Sequence, residues 1–259
     1  MALFTLDQIT KQSLNNEIEK PITVELYKET VDLGRVASSL WNDNQIISTS
    51  DIINHNFNEA KRRFFYCGWL DEYYMKVSNS RFLDYSISHP LYATLSDDEE
   101  LIARYSKLRY IKSINAELSM DDMVKIGEST IWCNTIQFFM SNDIIGIERN
   151  LNIIETKTLK KLSKKEDGMR DDYEFYKALH SNDKNKMEEV LEKLTSPKIH
   201  KKRFDNPVLN QYISPLGLGY AKLAWRKGIE VEVKSKLVPR ELLPIKPLEK
   251  YEIPYDYLK

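Results

Sequence analysis

Apolar residues recur every three or four positions over most of this chain, and that period predicts helices rather than strands. Pro21 suits a helix start, and the stripe after it runs through Leu26, Leu33, Val36 and Leu40. A second helix is predicted from Ser50, with Ile53, Phe57, Ala60, Phe64, Cys67 and Leu70 on one broad face. Gly68 lies within it, where it permits close approach of a neighbour. Ser96 and Glu99 read as a capping box, followed by Leu101, Tyr105, Leu108 and Ile111 or Lys112 at helical spacing. A further start at Ser119 leads a stripe through Met123, Ile126, Thr130, Ile131 and Asn134. An amphipathic segment over 142–165 then runs into a basic, glycine-containing stretch. A joint between sub-domains is placed there, near 160–172.

Beyond the joint, Tyr173, Tyr176 and Leu179 share a face, Ser-Asn-Asp turns, and Met187, Val190, Leu191 and Leu194 form the return. That is an αα-hairpin, similar in outline to one helical-repeat unit. No second copy at a fixed period accompanies it. The segment Tyr212–Val233 reads "YISPLGLGYAKLAWRKGIEVEV". Its Gly-x-Gly follows a proline instead of a strand and lacks the third glycine of a dinucleotide fingerprint. A buried helix explains it better, with Gly219 at a close contact and Gly228 as a left-handed cap. "IEVEV" fits a short extended segment. The proline-rich tail is expected to cross the helical body and bury Leu242, Leu243, Ile245 and Tyr251. The predicted fold is all-α: an irregular multi-helix bundle with helical-hairpin packing and a proline-rich extended C-terminal segment. It is read as one helical domain over 1–259.

Composition agrees. Only 8 glycines and 9 prolines interrupt 259 residues, and most of the prolines fall after residue 206. Hydrophobic residues make up 42%, enough for a sizeable core. The net charge of −1 argues against a general nucleic-acid binder. It conceals an asymmetry. Residues 1–150 hold 22 acidic and 15 basic side chains, whereas 151–259 hold 17 and 23. An acidic half of this kind can steer a basic partner. No apolar run approaches the ~20 residues of a membrane span, and the N-terminus makes a poor signal peptide, so a cytoplasmic location with no membrane partner is expected.

Candidate chemistry is sparse. Cys67 and Cys133 sit among apolar residues and read as buried thiols. His55, His89, His180 and His200 form no metal-ligand spacing and read as surface or capping residues. In "KRRFF" at 61–65, Phe64 belongs to the core stripe while Lys61 and Arg62 are expected to face water. Paired acids at Asp71-Glu72 and Asp97-Asp98-Glu99-Glu100 diverge by about 100° per residue on a helix, so they do not converge as hydrolytic pairs. No catalytic, cofactor-binding or metal-ligating set is assigned.

The C-terminal third, about 173–250, resembles the immunity protein forty-nine family of bacterial polymorphic-toxin systems. The resemblance rests on "YKALHSNDKNKMEEVLEKL", "SPLGLGYAKLAWRKGIEVEV" and "VPRELLPIKPLEKY". It implies a helical cytoplasmic antidote that binds one cognate toxin domain, such as a nuclease or another enzyme acting in the cytoplasm, and blocks it sterically. It implies no catalytic residue, no cofactor and no direct nucleic-acid contact. Under that reading the partner-binding face comprises Asp71, Glu72, Asp97, Asp98, Glu99 and Glu100, with Tyr73 and Tyr74 as aromatic anchors. Two alternatives stay open: a helical scaffold for another protein, and an enzyme with a site around His89, Asp97 and Asp98.

Overall fold

A computed structural model describes residues 4–112, 117–164, 166 and 168–258. The fold is all-α, with no strand among the described residues. Three long helices come first: α1 (Leu6–Leu26), α2 (Leu33–Ile53) and α3 (Phe57–Ser78). Shorter ones follow: α4 (Ser88–Leu95), α5 (Glu99–Tyr105), α6 (Met120–Ile126), α7 (Ile131–Ser141) and α8 (Ile144–Ile153). A π-turn, Ile154–Thr158, carries α8 into α9 (Leu159–Lys161). The remainder comprises α10 (Met169–Ser181), α11 (Lys184–Thr195), α12 (Pro197–Arg203) and α13 (Pro215–Arg226).

The breaks explain where the sequence reading erred. Pro21 lies inside α1 instead of opening a helix. Ser50 belongs to the last turn of α2; the chain leaves that helix at Asn54, passes His55 in the left-handed region (φ 59°) and restarts at Phe57. The expected Ser96 cap is displaced by two residues. Ser96 ends α4, Asp97 is left-handed (φ 61°), and the Asp98 carboxylate accepts from Leu101 N at 2.6 Å to open α5. That helix ends at Tyr105, and residues 113–116 of the longer predicted run lie outside the described residues. Ser119 does open a helix with a reciprocal cap to Asp122, but Gly127 (φ 77°) stops it before α7. The breaks after Ile53, Leu95 and Ile126 each involve a glycine or a polar residue that takes the left-handed or capping conformation at small cost, which apolar periodicity cannot register.

The hairpin forms where predicted. Asn182 (φ 58°) ends α10 and the Asp183 side chain accepts from Lys186 N at 3.0 Å to start α11. Tyr173, Tyr176, Leu179, Met187, Val190, Leu191 and Leu194 are all buried. The apolar core containing them also takes in Phe64, Leu91, Trp132, Leu218 and Leu258, so it draws on both sides of 160–172. Residues 165 and 167 of the proposed joint lie outside the described residues.

Helix α4 sits at the centre, packed against α3, α5, α7 and α13. Two glycines admit it. A methyl group at Gly68 of α3 would stand 2.7 Å from Leu101 and 3.0 Å from Ala93; one at Gly219 of α13 would stand 2.5 Å from Leu91 Cβ. Helix α13 is buried from Pro215 to Ala224, and Gly228 (φ 80°) follows its end. The tail crosses the body with Leu242 and Leu243 buried; Ile245, expected inside, is 44% exposed, and Tyr251 is half-buried. The "IEVEV" segment forms no strand, and Val231 N donates to the Ile229 carbonyl at 2.9 Å in a tight turn within it. Side chains substitute for a strand partner: Glu188 and Glu192, one turn apart on α11, accept from the backbone N–H of Glu232 and Lys234 at 2.8 and 2.9 Å.

Replacing Gly219 with Ala pits about 1 kcal/mol of gained helix propensity against overpacking at Leu91. Because the nearest atom is a Cβ with little freedom, overpacking prevails, and urea denaturation should show a net loss of about 1–2 kcal/mol. A stabilised variant would contradict this packing.

Candidate functional site

The packing of α4 and α5 on α3 brings the two acidic stretches near one another, but it spends most of their carboxylates internally. Asp71 is buried: one oxygen lies 2.8 Å from His89 Nδ1 and the other accepts from the Tyr105 hydroxyl at 2.8 Å. Glu72 pairs with Arg104 across two nitrogens. Tyr73 stacks on Trp69 and Tyr74 on Phe82. Asp98 caps α5, Glu99 is held by Arg226 at 2.6 Å, and Glu100 is exposed. Asp71 and Asp97 therefore present nothing to a partner's surface, contrary to the reading from sequence. The tertiary structure supplies each with intramolecular donors that their neighbours in sequence do not reveal.

Asp97 is the centre of the arrangement. It is fully buried, as are Lys222 at 0% and Lys61 at 2% exposure. Lys61 Nζ lies 2.6 Å from Oδ2, Lys222 Nζ 2.6 Å from Oδ1, and Arg226 3.6 Å from Oδ1. The backbone N–H of Lys246 also donates to Oδ2 at 3.1 Å. The lysines use their remaining donors on the tail. Lys61 bonds the Lys246 carbonyl at 2.7 Å, and Lys222 bonds the carbonyls of Leu242 and Pro244 at 2.9 Å each. One carboxylate thus joins α3, the α4–α5 turn, α13 and the tail. Lys61 was expected in water and is inside. Lys222 carried a signal that periodicity reasoning passed over: a charge in a helix with no polar face must find a buried partner.

A second buried ion pair ties the C-terminal helices. Arg203 of α12 donates to Asp172 of α10 at 2.7 Å, and the Tyr220 hydroxyl donates to the other oxygen at 2.7 Å. Burial pushes the Asp172 carboxyl up, with Arg203 acting in opposition. His200, read as a surface residue, is buried with Nε2 2.9 Å from the Asn210 carbonyl oxygen. Cys67 and Cys133 are buried, and burial raises both thiols well above their ordinary value.

His89 stands in the first turn of α4, stacked on Trp41 with centroids 3.9 Å apart. Together with Asp71, Ser38 and Asn42 it lines a cavity of about 70 Å³. That space is far below the roughly 300 Å³ of small-molecule sites. The enzyme alternative needed His89 and Asp97 in one site, whereas the fold gives each its own partner set. Larger open grooves exist, one of about 410 Å³ between α8 and α10 lined by Glu155, Tyr173, Lys177 and Lys186 among others. Among the described residues no group of three His, Cys, Asp or Glu side chains is placed to hold a metal ion.

Residues 88–242 match the family described as Immunity protein 49. The chain belongs to that family. The shared region begins at α4, well before the 173–250 stretch that carries the sequence resemblance, and it takes in Asp97, Asp172, Arg203, Tyr220 and Lys222. In this immunity protein Lys61 and Lys246, which complete the Asp97 cluster, lie outside the matched span. No curated protein and no solved structure matches the chain. No described helix is long and apolar enough to cross a membrane.

Asp97→Asn keeps the shape and leaves two buried ammonium groups without an anion. Urea denaturation should show a loss of about 3–5 kcal/mol; a loss below 1 kcal/mol would mean the cluster is not a structural keystone.

Burial pushes Lys222 down to about 8; Asp97 counters this, while Lys61 and Arg226 add to it. The folded protein therefore sheds this proton before the unfolded chain does. The site's contribution to stability is lowest below pH 8 and rises toward pH 10.5, by roughly 3 kcal/mol. Comparison of wild type with Lys222→Met by urea denaturation from pH 7 to 10.5 should show that rise in the wild type alone.

Proposed function

We propose that this chain neutralises a cognate antibacterial toxin domain in the cytoplasm of the producing cell, by binding it and covering its active site. The observation that carries this is the family match over residues 88–242. The physical design agrees with it. An interface of the usual ~800 Å² per partner requires a surface that is already formed, because ordering it on binding subtracts from affinity. Buried ion pairs at Asp97 and Asp172 fix the relative positions of α3, α4, α10, α12, α13 and the tail before any partner arrives. The acidic excess of residues 1–150 favours a basic toxin surface and fast encounter. Of the acidic positions read from sequence, Glu100 is free to meet such a surface, with Glu72, Tyr73 and Asp98 half-exposed beside it.

Co-expression with the toxin domain encoded next to this gene should restore growth, and the two purified chains should co-elute as one complex. Inhibition should be competitive with the toxin's substrate. Persistent killing with no co-elution would exclude the reading and favour a scaffold for another protein.

A further inference from the structure

Helix α1 is apolar on the wrong side. The residues it buries are Leu6, Thr10, Ser13 and Val24. Four of its aliphatic side chains face solvent: Leu14 is 41% exposed, Ile18 69%, Ile22 56% and Leu26 71%. At about 100° per residue, Ile22 lies roughly 160° around the axis from buried Val24. The four recur at every fourth position, so they form one continuous ridge about 18 Å long. Scattered exposed aliphatic residues are ordinary; an aligned row of four is not.

At the start of α1, Leu6 and Ile9 pack on Val208, Leu209 and Ile46; further along, the inner face is held by polar contacts. Glu17 bonds Arg63 at 2.5 Å, Asn16 bonds Asp43 at 3.0 Å, and Lys20 pairs with Asp43. Around residues 16–20, helix α1 is thus fastened to α2 and α3 by charge and hydrogen bonds, which leaves the aliphatic row outside. A sequence selected for folding alone would place Ile18 and Ile22 inward and gain their burial. The ridge also lies outside the span shared with the family.

We propose that this ridge is the docking surface for the toxin domain, an inference that rests on the function proposed above. The flanking charges select the partner. Glu19, Glu25 and Glu29 are exposed and make no ion pair among the described residues. Residues 4–32 carry 6 acidic and 3 basic side chains. A second copy would bring two net-negative helices together, and an anionic membrane would repel the same carboxylates. The matching surface is an apolar groove rimmed by Lys and Arg, as on a protein whose own substrate is anionic.

The experiment compares purified wild type, Ile18→Asp/Ile22→Asp and Glu19→Lys/Glu25→Lys/Glu29→Lys for binding to the toxin domain by interferometry. Because every altered side chain is solvent-facing, circular dichroism and melting should be unchanged. The isoleucine variant should bind at least about 100-fold more weakly. The glutamate variant should associate about tenfold more slowly at low salt, with the difference shrinking at high salt. Wild-type binding with an indifferent isoleucine variant removes this inference and leaves the function standing. Failure of wild type to bind removes both. A concentration-dependent dimer abolished by Ile18→Asp/Ile22→Asp, or wild-type binding to phosphatidylserine vesicles that this variant loses, assigns the ridge to another occupant and also overturns the proposal.

Discussion

Three cations share one buried carboxylate at the middle of this protein, and the placement of four separate parts of the chain depends on that sharing. An isolated charge taken out of water costs several kcal/mol, so Asp97, Lys61 and Lys222 are tolerable inside only together. Arg226 extends the cluster to the surface, where Glu99 balances it. The lysines' remaining hydrogens go to carbonyls of the tail, whose described residues form no α-helix that would satisfy them. The tail is therefore fixed by ionic geometry as much as by Leu242 and Leu243.

The same economy recurs wherever regular structure runs out. The irregular segment after α13 has no strand beside it, and two glutamates of α11 take the role of a neighbouring backbone. The ends of α10 and α12 are joined through Asp172, Arg203 and Tyr220. These contacts are directional and demand particular partners, so they specify one arrangement of helices among the many that apolar packing alone would accept. Under the function proposed above, in which the molecule works by surface fit, that uniqueness matters more than extra stability.

Function and fold meet in what the body leaves unused. Internal pairing withdraws Asp71 and Asp97 from the surface, while α1 sends Leu14, Ile18, Ile22 and Leu26 outward and is retained by Leu6, Glu17, Asn16 and Lys20. The segment shared with the family builds the centre, around α4, α10 and α13. The N-terminal helix lies outside that segment and carries the exposed aliphatic row.

Some of this was legible from residues alone. The hairpin of α10 and α11 follows from its apolar period and the Asn182-Asp183 turn. The burial of α13 and its Gly228 end follow from composition and cap chemistry, and Gly68 and Gly219 were recognisable as contact points. These are local properties, set by side chains within a few turns of one another. Asp97 looked like one of four consecutive acids on a partner-binding face, and Lys61 like a solvated charge, because their partners lie 36 to 185 positions away along the chain. Ile18 and Ile22 could not be assigned a side until α1 met α2. Which charges are buried, and which apolar side chains are left out, is decided by what the folded chain brings opposite each residue, and a linear pattern does not contain that information.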